Sequence, residues 1–326
     1  VHVIPGLEVP VGHHPGPERH WKGMDFDHFV PRESVHKSAD QEVLLTDARL
    51  LDDGRIAVAA RWRRSHYLGH RGGAADPVLL AETARQTAIH LSHRFFGIGQ
   101  GPAFVLSELS VDLDEALPPV GTEPLRVGLH VRCRRPDAGE RRLRFELEAD
   151  VLAGSRRFGR VRVCWEPMEP RRYAVVRKRG GGQRAEGAAG QPLHRVRASS
   201  PAERDVLVCG DPERPDVWWL HLDLEHDVLF DHETDHVPGM ALVEAFRQVG
   251  AAVTGDGHRG GQVALLAVEF KAFGELDAPV SILAEPAGLD GTALTLRACQ
   301  GDRELACARV RCEAGEPSSA RQEAAC

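Results

Sequence analysis

The chain has 326 residues, 42% of them hydrophobic and 27% charged, and a formal net charge of −7. These proportions are those of a globular protein rather than a disordered one, and the negative balance lacks the basic footprint expected of a nucleic-acid binder. No run of about 18 apolar residues is available to cross a bilayer, so neither nucleic acid nor membrane is an expected partner.

The length suits two domains of roughly 100–200 residues each. Val1 to Val11 lacks a basic stretch followed by an apolar one, so it does not read as a secretory signal. A cytosolic protein is expected. The seven cysteines, at positions 133, 164, 209, 299, 307, 312 and 326, form no CxxC pair and are odd in number; they read as reduced thiols. The 17 histidines include neither HExxH nor another ligand set of recognisable spacing, so no metal and no cofactor is expected.

In chain order, β-branched and alternating apolar residues predict a strand over 55–62, a helix over about 77–95, and strands over 104–113, 126–133, 143–153 and 160–165. A basic run from Arg171 to Arg184, centred on Gly180-Gly181-Gly182, reads as a solvated linker. Beyond it come strands over 217–224, 263–270, 280–284, 292–299 and 305–312, and a helix over about 238–254. Proline opens both helices, as suits a first helical turn. Both are apolar nearly all round, with Val78, Leu79, Leu80, Ala84 and Ile89 in one and Met240, Leu242, Val243, Phe246 and Val249 in the other. Such helices are normally buried.

The two helices share more than apolarity. Leu80-x-Glu82-x-x-Arg85-Gln86 returns 162 positions later as Leu242-x-Glu244-x-x-Arg247-Gln248, with His70 and His232 each 12 residues ahead of their glutamate. That period is far longer than the roughly 20–50 residues of solenoid units, so the chain is a tandem duplication of a whole domain. One buried helix per half, followed by several strands without intervening helices, predicts an α+β fold with an antiparallel sheet wrapped around each helix. This is the hotdog architecture, doubled. The expected organisation is a first hotdog domain over 1–175, a Gly/Arg-rich linker over 176–191, a second hotdog domain over 192–314 and a flexible tail over 315–326.

Glutamate, arginine and glutamine at i, i+3 and i+4 lie on one helix face. On an otherwise apolar helix that stripe must pair within the core or line a cavity, and the repeat alone does not decide between the two. The second copy adds Asp231-His232 and Asp235-His236 before Pro238-Gly239-Met240. A Pro-Gly helix start leaves backbone N–H groups available to an acyl oxygen or oxyanion, and the histidine and carboxylate nearby are titratable. The first copy has Asp76-Pro77 at this place, and proline has no N–H to offer. His66, His90 and His93 read as core or surface residues, and His36 as part of an exposed loop.

The His…Pro-Gly…Glu-x-x-x-Gln order resembles hotdog acyl-carrier-protein dehydratases and thioesterases. His232 stands closer to its Pro-Gly than the dehydratase histidine does, and Arg247 replaces their usual small residue. Over residues 34–312 the chain is more similar to the A-factor synthase family of tandem hotdog enzymes. The landmarks are Val35-His36-Lys37 with Glu42-Val43-Leu44-Leu45-Thr46, Asp76-Pro77 through Glu82 to Arg85-Gln86, and Phe230-Asp231-His232 through Pro238-Gly239-Met240 to Glu244-Ala-Phe-Arg247-Gln248.

The resemblance implies transfer of a β-ketoacyl group from acyl carrier protein to a hydroxyl of dihydroxyacetone phosphate or a close analogue, opening the synthesis of γ-butyrolactone, butenolide or furan signals. Glu82, Glu244 and His232 are then expected to be catalytic. Arg85, Arg247, Gln86, Gln248, His236, Gly239 and Met240 are expected to bind substrate, the arginines taking the phosphate and the amides the thioester oxygen. The rival readings are a hotdog thioesterase or dehydratase acting on acyl carrier protein, and a non-catalytic acyl-binding protein with structural Glu–Arg pairs. The two halves supply their own hotdog pair, whether the chain is a monomer or a homodimer.

Overall fold

A computed structural model describes residues 21–63, 76–136, 143–180, 204–254, 262–288 and 292–313. The first half contributes strands β1 (Leu45–Leu50), β2 (Ile56–Trp62), β3 (Ala103–Leu113), β4 (Leu125–Arg134), β5 (Phe145–Ala153) and β6 (Arg156–Met168). The second contributes β7 (Val208–Gly210), β8 (Val217–Leu220), β9 (Gln262–Phe270), β10 (Ser281–Pro286), β11 (Ala293–Gln300) and β12 (Arg303–Glu313). The sheet order is β1-β2-β4-β5-β6-β3-β9-β12-β11-β10-β8-β7, so the second half mirrors the first about the β3–β9 seam. The predicted pair of neighbouring sheets is one continuous antiparallel sheet, because the free edges of β3 and β9 pair from Glu108↔Glu269 to Asp112↔Leu265.

Each half wraps its sheet around the predicted helix, α1 (Pro77–Phe96) in the first and, in the second, a helix over Gly239–Thr254. Asp76 caps α1 by accepting from Val78 N at 2.7 Å, and Gly97, at φ 69°, closes its other end. Buried indoles cost stability unless their N–H is paired. Here Trp62 Nε1 donates to Thr83 Oγ1 (2.9 Å) and Trp165 Nε1 to Ser92 Oγ (3.0 Å). Each hydroxyl in turn donates to the helix carbonyl four residues back. On the second-half helix, Gly250 permits close packing on β12, since a Cβ there would stand 2.7 Å from Val310 Cγ1. Most buried apolar side chains of both halves form one core, and Met24, Ala57 and Ala59 form a small second cluster on the other face of the sheet's β2.

The linker expectation needs a correction. Helix α2 (Pro170–Gly180) runs through the expected boundary at 175/176, which makes the Gly239–Thr254 helix α3. Its basic residues are not simply solvated. Arg177 is bidentate on Glu275 (2.9 and 2.8 Å) and also donates to Asp235, while Tyr173 Oη donates to Asp235 Oδ1 at 2.8 Å. Ion pairs with the second half give the segment a docked face that its composition does not disclose. The rest of the linker, 181–191, and the tail 315–326 lie outside the described residues. No helix among the described residues is long and apolar enough to cross a membrane.

Candidate active site

A cavity of about 960 Å³ lies between the halves and takes its walls from both. The first half supplies His36, Lys37, Glu82 and Arg85; the second supplies Asp231, His232, His236, Gly239 and Met240. Glu82 projects from the middle of α1 and is almost fully buried. Arg85 grips its two oxygens at 2.8 Å each, Gln86 Nε2 donates to Oε1 at 3.0 Å, and Lys37 Nζ lies 3.4 Å from Oε1. Burial opposes ionisation of Glu82, but Arg85, Lys37 and the hydrogen bonds outweigh it and pull its pKa down to about 2. A carboxylate so strongly stabilised is a weak base. The geometry therefore supports an anionic anchor at Glu82 better than the catalytic role expected from the sequence.

Lys37 also reaches across the halves, with Nζ 3.6 Å from Asp231 Oδ2. Asp231 is buried, which raises its pKa, yet the His232 hydrogen bond and the Lys37 charge bring it below the usual carboxylate range. Its other oxygen lies 2.6 Å from His232 Nδ1. That contact fixes the His232 tautomer with Nδ1 protonated and leaves Nε2 as the reactive nitrogen. His232 is itself half exposed at the cavity wall.

The start of α3 forms the adjoining wall. Pro238 O accepts from Ala241 N and Leu242 N, whereas the Gly239 and Met240 amides have no acceptor among the described residues. These are the unpaired N–H groups expected in a first helical turn. A Cβ at Gly239 would stand 3.3 Å from Phe270 Cε1, so the small residue lets α3 begin directly beside the cavity. The matching end of α1 is closed by the Asp76 cap. His236 Nδ1 contacts Asp235 Oδ1 at 2.8 Å, and its ring stands edge-on to Phe273. Burial keeps His236 below the ordinary histidine pKa despite the nearby Asp235 charge.

The second Glu–Arg–Gln copy does not line this cavity. Arg247 is bidentate on Glu244 (2.9 and 2.6 Å), and its Nε is 3.3 Å from Asp76 Oδ2. Burial and the Asp76 charge raise the Glu244 pKa, against the pull of Arg247. The two glutamines are also placed differently from expectation. Gln86 accepts from Leu44 N (2.9 Å) and donates to Glu42 O (2.8 Å) as well as Glu82; Gln248 accepts from Leu207 N (2.9 Å) and donates to Asp205 O (2.6 Å) and Glu244. Their amides are consumed in tying the chain ahead of each sheet to its helix, so they hold the glutamates rather than reach a ligand.

Some groups at the cavity were assigned no role from the sequence. Lys37 and Asp231 are the principal ones, and the signal available was their adjacency to His36 and His232 in the family landmarks. Arg172, Tyr173 and Val176 of α2 also line the cavity, which the linker expectation hid. His36 and His93 pair through their Nε2 atoms at 3.0 Å, and His90 Nδ1 contacts Ser34 Oγ at 3.0 Å. His66 and His70 lie outside the described residues.

Fold and site together define a tandem hotdog protein with a composite polar cavity between its halves. The family model for the A-factor biosynthesis hotdog domain matches residues 24–169 and 197–314, and the chain belongs to that family. A 2-oxo-3-(phosphooxy)propyl 3-oxoalkanoate synthase of Streptomyces virginiae is 34% identical over 262 residues, covering 79% of this chain and 87% of that protein. A synthase of the same name from Streptomyces griseus is 32% identical over 237 residues, covering 70% and 76%. In fold, the chain is similar to the crystal structure of an acyl-ACP thioesterase from Bacteroides thetaiotaomicron, with a TM-score of 0.50, 13% identity, and coverage of 79% of this chain and 97% of that one.

Proposed function

We propose that this protein is an acyltransferase that joins a 3-oxoacyl group to the hydroxyl of dihydroxyacetone phosphate or a close analogue. The product is a 2-oxo-3-(phosphooxy)propyl 3-oxoalkanoate, which can close to a butenolide phosphate on the way to a γ-butyrolactone-type signal. The acyl donor in this reading is a thioester on acyl carrier protein. The observation that carries it is the composite cavity, where the Glu82–Lys37–Asp231 cluster meets the open amides of α3.

The thioester carbonyl oxygen is received by the Gly239 and Met240 amides, which stabilise the charge that develops when the hydroxyl adds. His232, oriented by Asp231, is the acid–base group beside that carbonyl. A nearby carboxylate stabilises the imidazolium, so His232 can give a proton to the sulfur as the carbon–sulfur bond breaks. The phosphate is assigned to Arg85, one of the guanidinium groups at the cavity wall and the one beside Lys37 and Glu82. Phosphate recognition by Arg247 is less well supported, because Glu244 and Asp76 engage it away from this cavity.

The test is mass spectrometry of the protein incubated with a 3-oxoacyl thioester, with and without dihydroxyacetone phosphate. The reading requires a phosphate-bearing ester that forms only when the acceptor is present. Free 3-oxo acid produced equally in both reactions would make the protein a thioesterase, and an untouched thioester would make it a binding protein.

A further inference from the structure

We propose that His36 is a second acid–base residue of this site, the one that takes the proton of the acceptor hydroxyl, and that His93 positions it by fixing its tautomer. The assignment rests on the acyl-transfer reading above and adds to it the group that activates the nucleophile.

His93 Nδ1 lies 2.8 Å from the Ile98 carbonyl oxygen, which can only accept, so Nδ1 of His93 carries the proton. His93 Nε2 is 3.0 Å from His36 Nε2. Two neutral rings satisfy that contact in one way: His36 Nε2–H donates to the lone pair of His93 Nε2. The remaining nitrogen of His36, Nδ1, is then an unprotonated acceptor. It has no partner among the described residues and is not sealed from solvent, on a ring that lines the cavity.

The backbone supports the same placement. His36 is the one non-glycine residue with positive φ among the described residues, at φ 53° and ψ 52°. Glycine or asparagine fills that left-handed region readily. The turn brings consecutive side chains, His36 and Lys37, to the same cavity wall as Glu82 and Arg85. Phe104 stands edge-on to the His36 ring at 5.0 Å and fixes its plane. Burial, with the nearby His93, Arg85 and His232, pushes the pKa of His36 down to about 4. The ring therefore rests neutral with its lone pair free, and as a weaker base than an ordinary imidazole it takes the proton only as the new carbon–oxygen bond forms.

The step balances. The hydroxyl gives its proton to His36 Nδ1 while its oxygen bonds to the thioester carbon. The carbonyl electron pair moves to the oxygen held by Gly239 and Met240, and as the carbonyl re-forms the carbon–sulfur bond breaks with its electron pair on sulfur. The thiolate takes a proton that His232 Nε2 has drawn from solvent in the cavity, which leaves that ring neutral again, and His36 releases its own proton to the solvent.

The experiment compares the full-length wild type with His36→Asn, a substitution suited to the left-handed backbone. Ester formation from a 3-oxoacyl thioester and dihydroxyacetone phosphate should fall about 10²–10⁴-fold, the usual contribution of a general base, at an unchanged melting temperature. In His36→Gly, added imidazole should restore part of the rate, which a packing role would not produce. Long-range ¹H–¹⁵N spectra of the wild type, with the His36 signals assigned by their loss in the variants, should show an Nε2–H tautomer. Ester formation by His36→Asn within about threefold of wild type, or an Nδ1–H tautomer at His36, would overturn the assignment while leaving acyl transfer intact. A wild type that makes no ester would overturn both.

Discussion

Lys37 of the first half and Asp231 of the second form an ion pair across the duplication, with Nζ 3.6 Å from Oδ2 and both side chains nearly sealed from solvent. The same ammonium is 3.4 Å from Glu82. A buried pair is weak evidence of net stabilisation, but removing one member strands the other, typically at about 3–5 kcal/mol. Lys37→Met should therefore lower unfolding free energy by about that amount in urea titrations at pH 7. A loss under about 1 kcal/mol would mean that Arg85 and His232 already neutralise the two carboxylates.

The duplicated glutamates should behave unalike. Glu82→Gln removes the carboxylate that Arg85 and Lys37 share at the cavity, and loss of a charge-assisted contact of roughly 1.5–3 kcal/mol corresponds to about a 10–100-fold drop in ester formation. Glu244→Gln should leave turnover per folded molecule within a few fold and act on stability, because Glu244 does not line the cavity. Steady-state rates corrected for folded fraction separate the two. A larger rate loss from Glu244→Gln would place the working site in the other half.

Much of this architecture is legible in the sequence, and the reasons are local. The helices at Pro77 and Gly239 announce themselves by all-round apolarity, and ten of the strands by β-branched alternation. Strand β1, reading LTDARL, escapes notice because Asp47 and Arg49 break its apolar pattern, and β7 is only three residues long. Helix α2 is hidden by its arginines, whose partners Asp235 and Glu275 lie far away in sequence. The site was legible as a list of residue types but not as an assignment. Repetition made the two Glu–Arg–Gln sets look equivalent, whereas their exposure to the cavity depends on tertiary neighbours: Lys37 and Asp231 at one, Asp76 at the other.

A histidine on α1 predicts how stability follows pH. Ser34 Oγ donates to Pro31 O, so it accepts from His90 Nδ1, and His90 Nε2 is buried with no partner among the described residues. Burial, with Arg94 and His93 nearby, pushes the His90 pKa from 6.5 down to about 4. Because the folded-state value is the lower one, the unfolded chain binds more protons between these limits, and stability falls as pH drops from 6.5 toward 4. The full contribution is at most about 3 kcal/mol. His90→Leu should flatten that part of the curve of melting temperature against pH. An unchanged slope would show that other groups dominate the acid limb.

The last prediction concerns which arginine reads the acceptor phosphate. Arg85 lines the cavity while holding Glu82, and Arg247 holds Glu244 and Asp76 away from it. Arg85→Lys keeps the charge but loses the planar fork, so it should raise the KM for dihydroxyacetone phosphate by about 10–100-fold, the equivalent of one charge-assisted hydrogen bond. The thioester KM should change much less. Arg247→Lys disturbs a buried cluster that contains the cap of α1, so it should lower the melting temperature and affect both substrates alike. Donor and acceptor titrations of the two variants, each measured below its own unfolding transition, distinguish these roles. A selective acceptor defect in Arg247→Lys and none in Arg85→Lys would move the phosphate to the other half of the molecule.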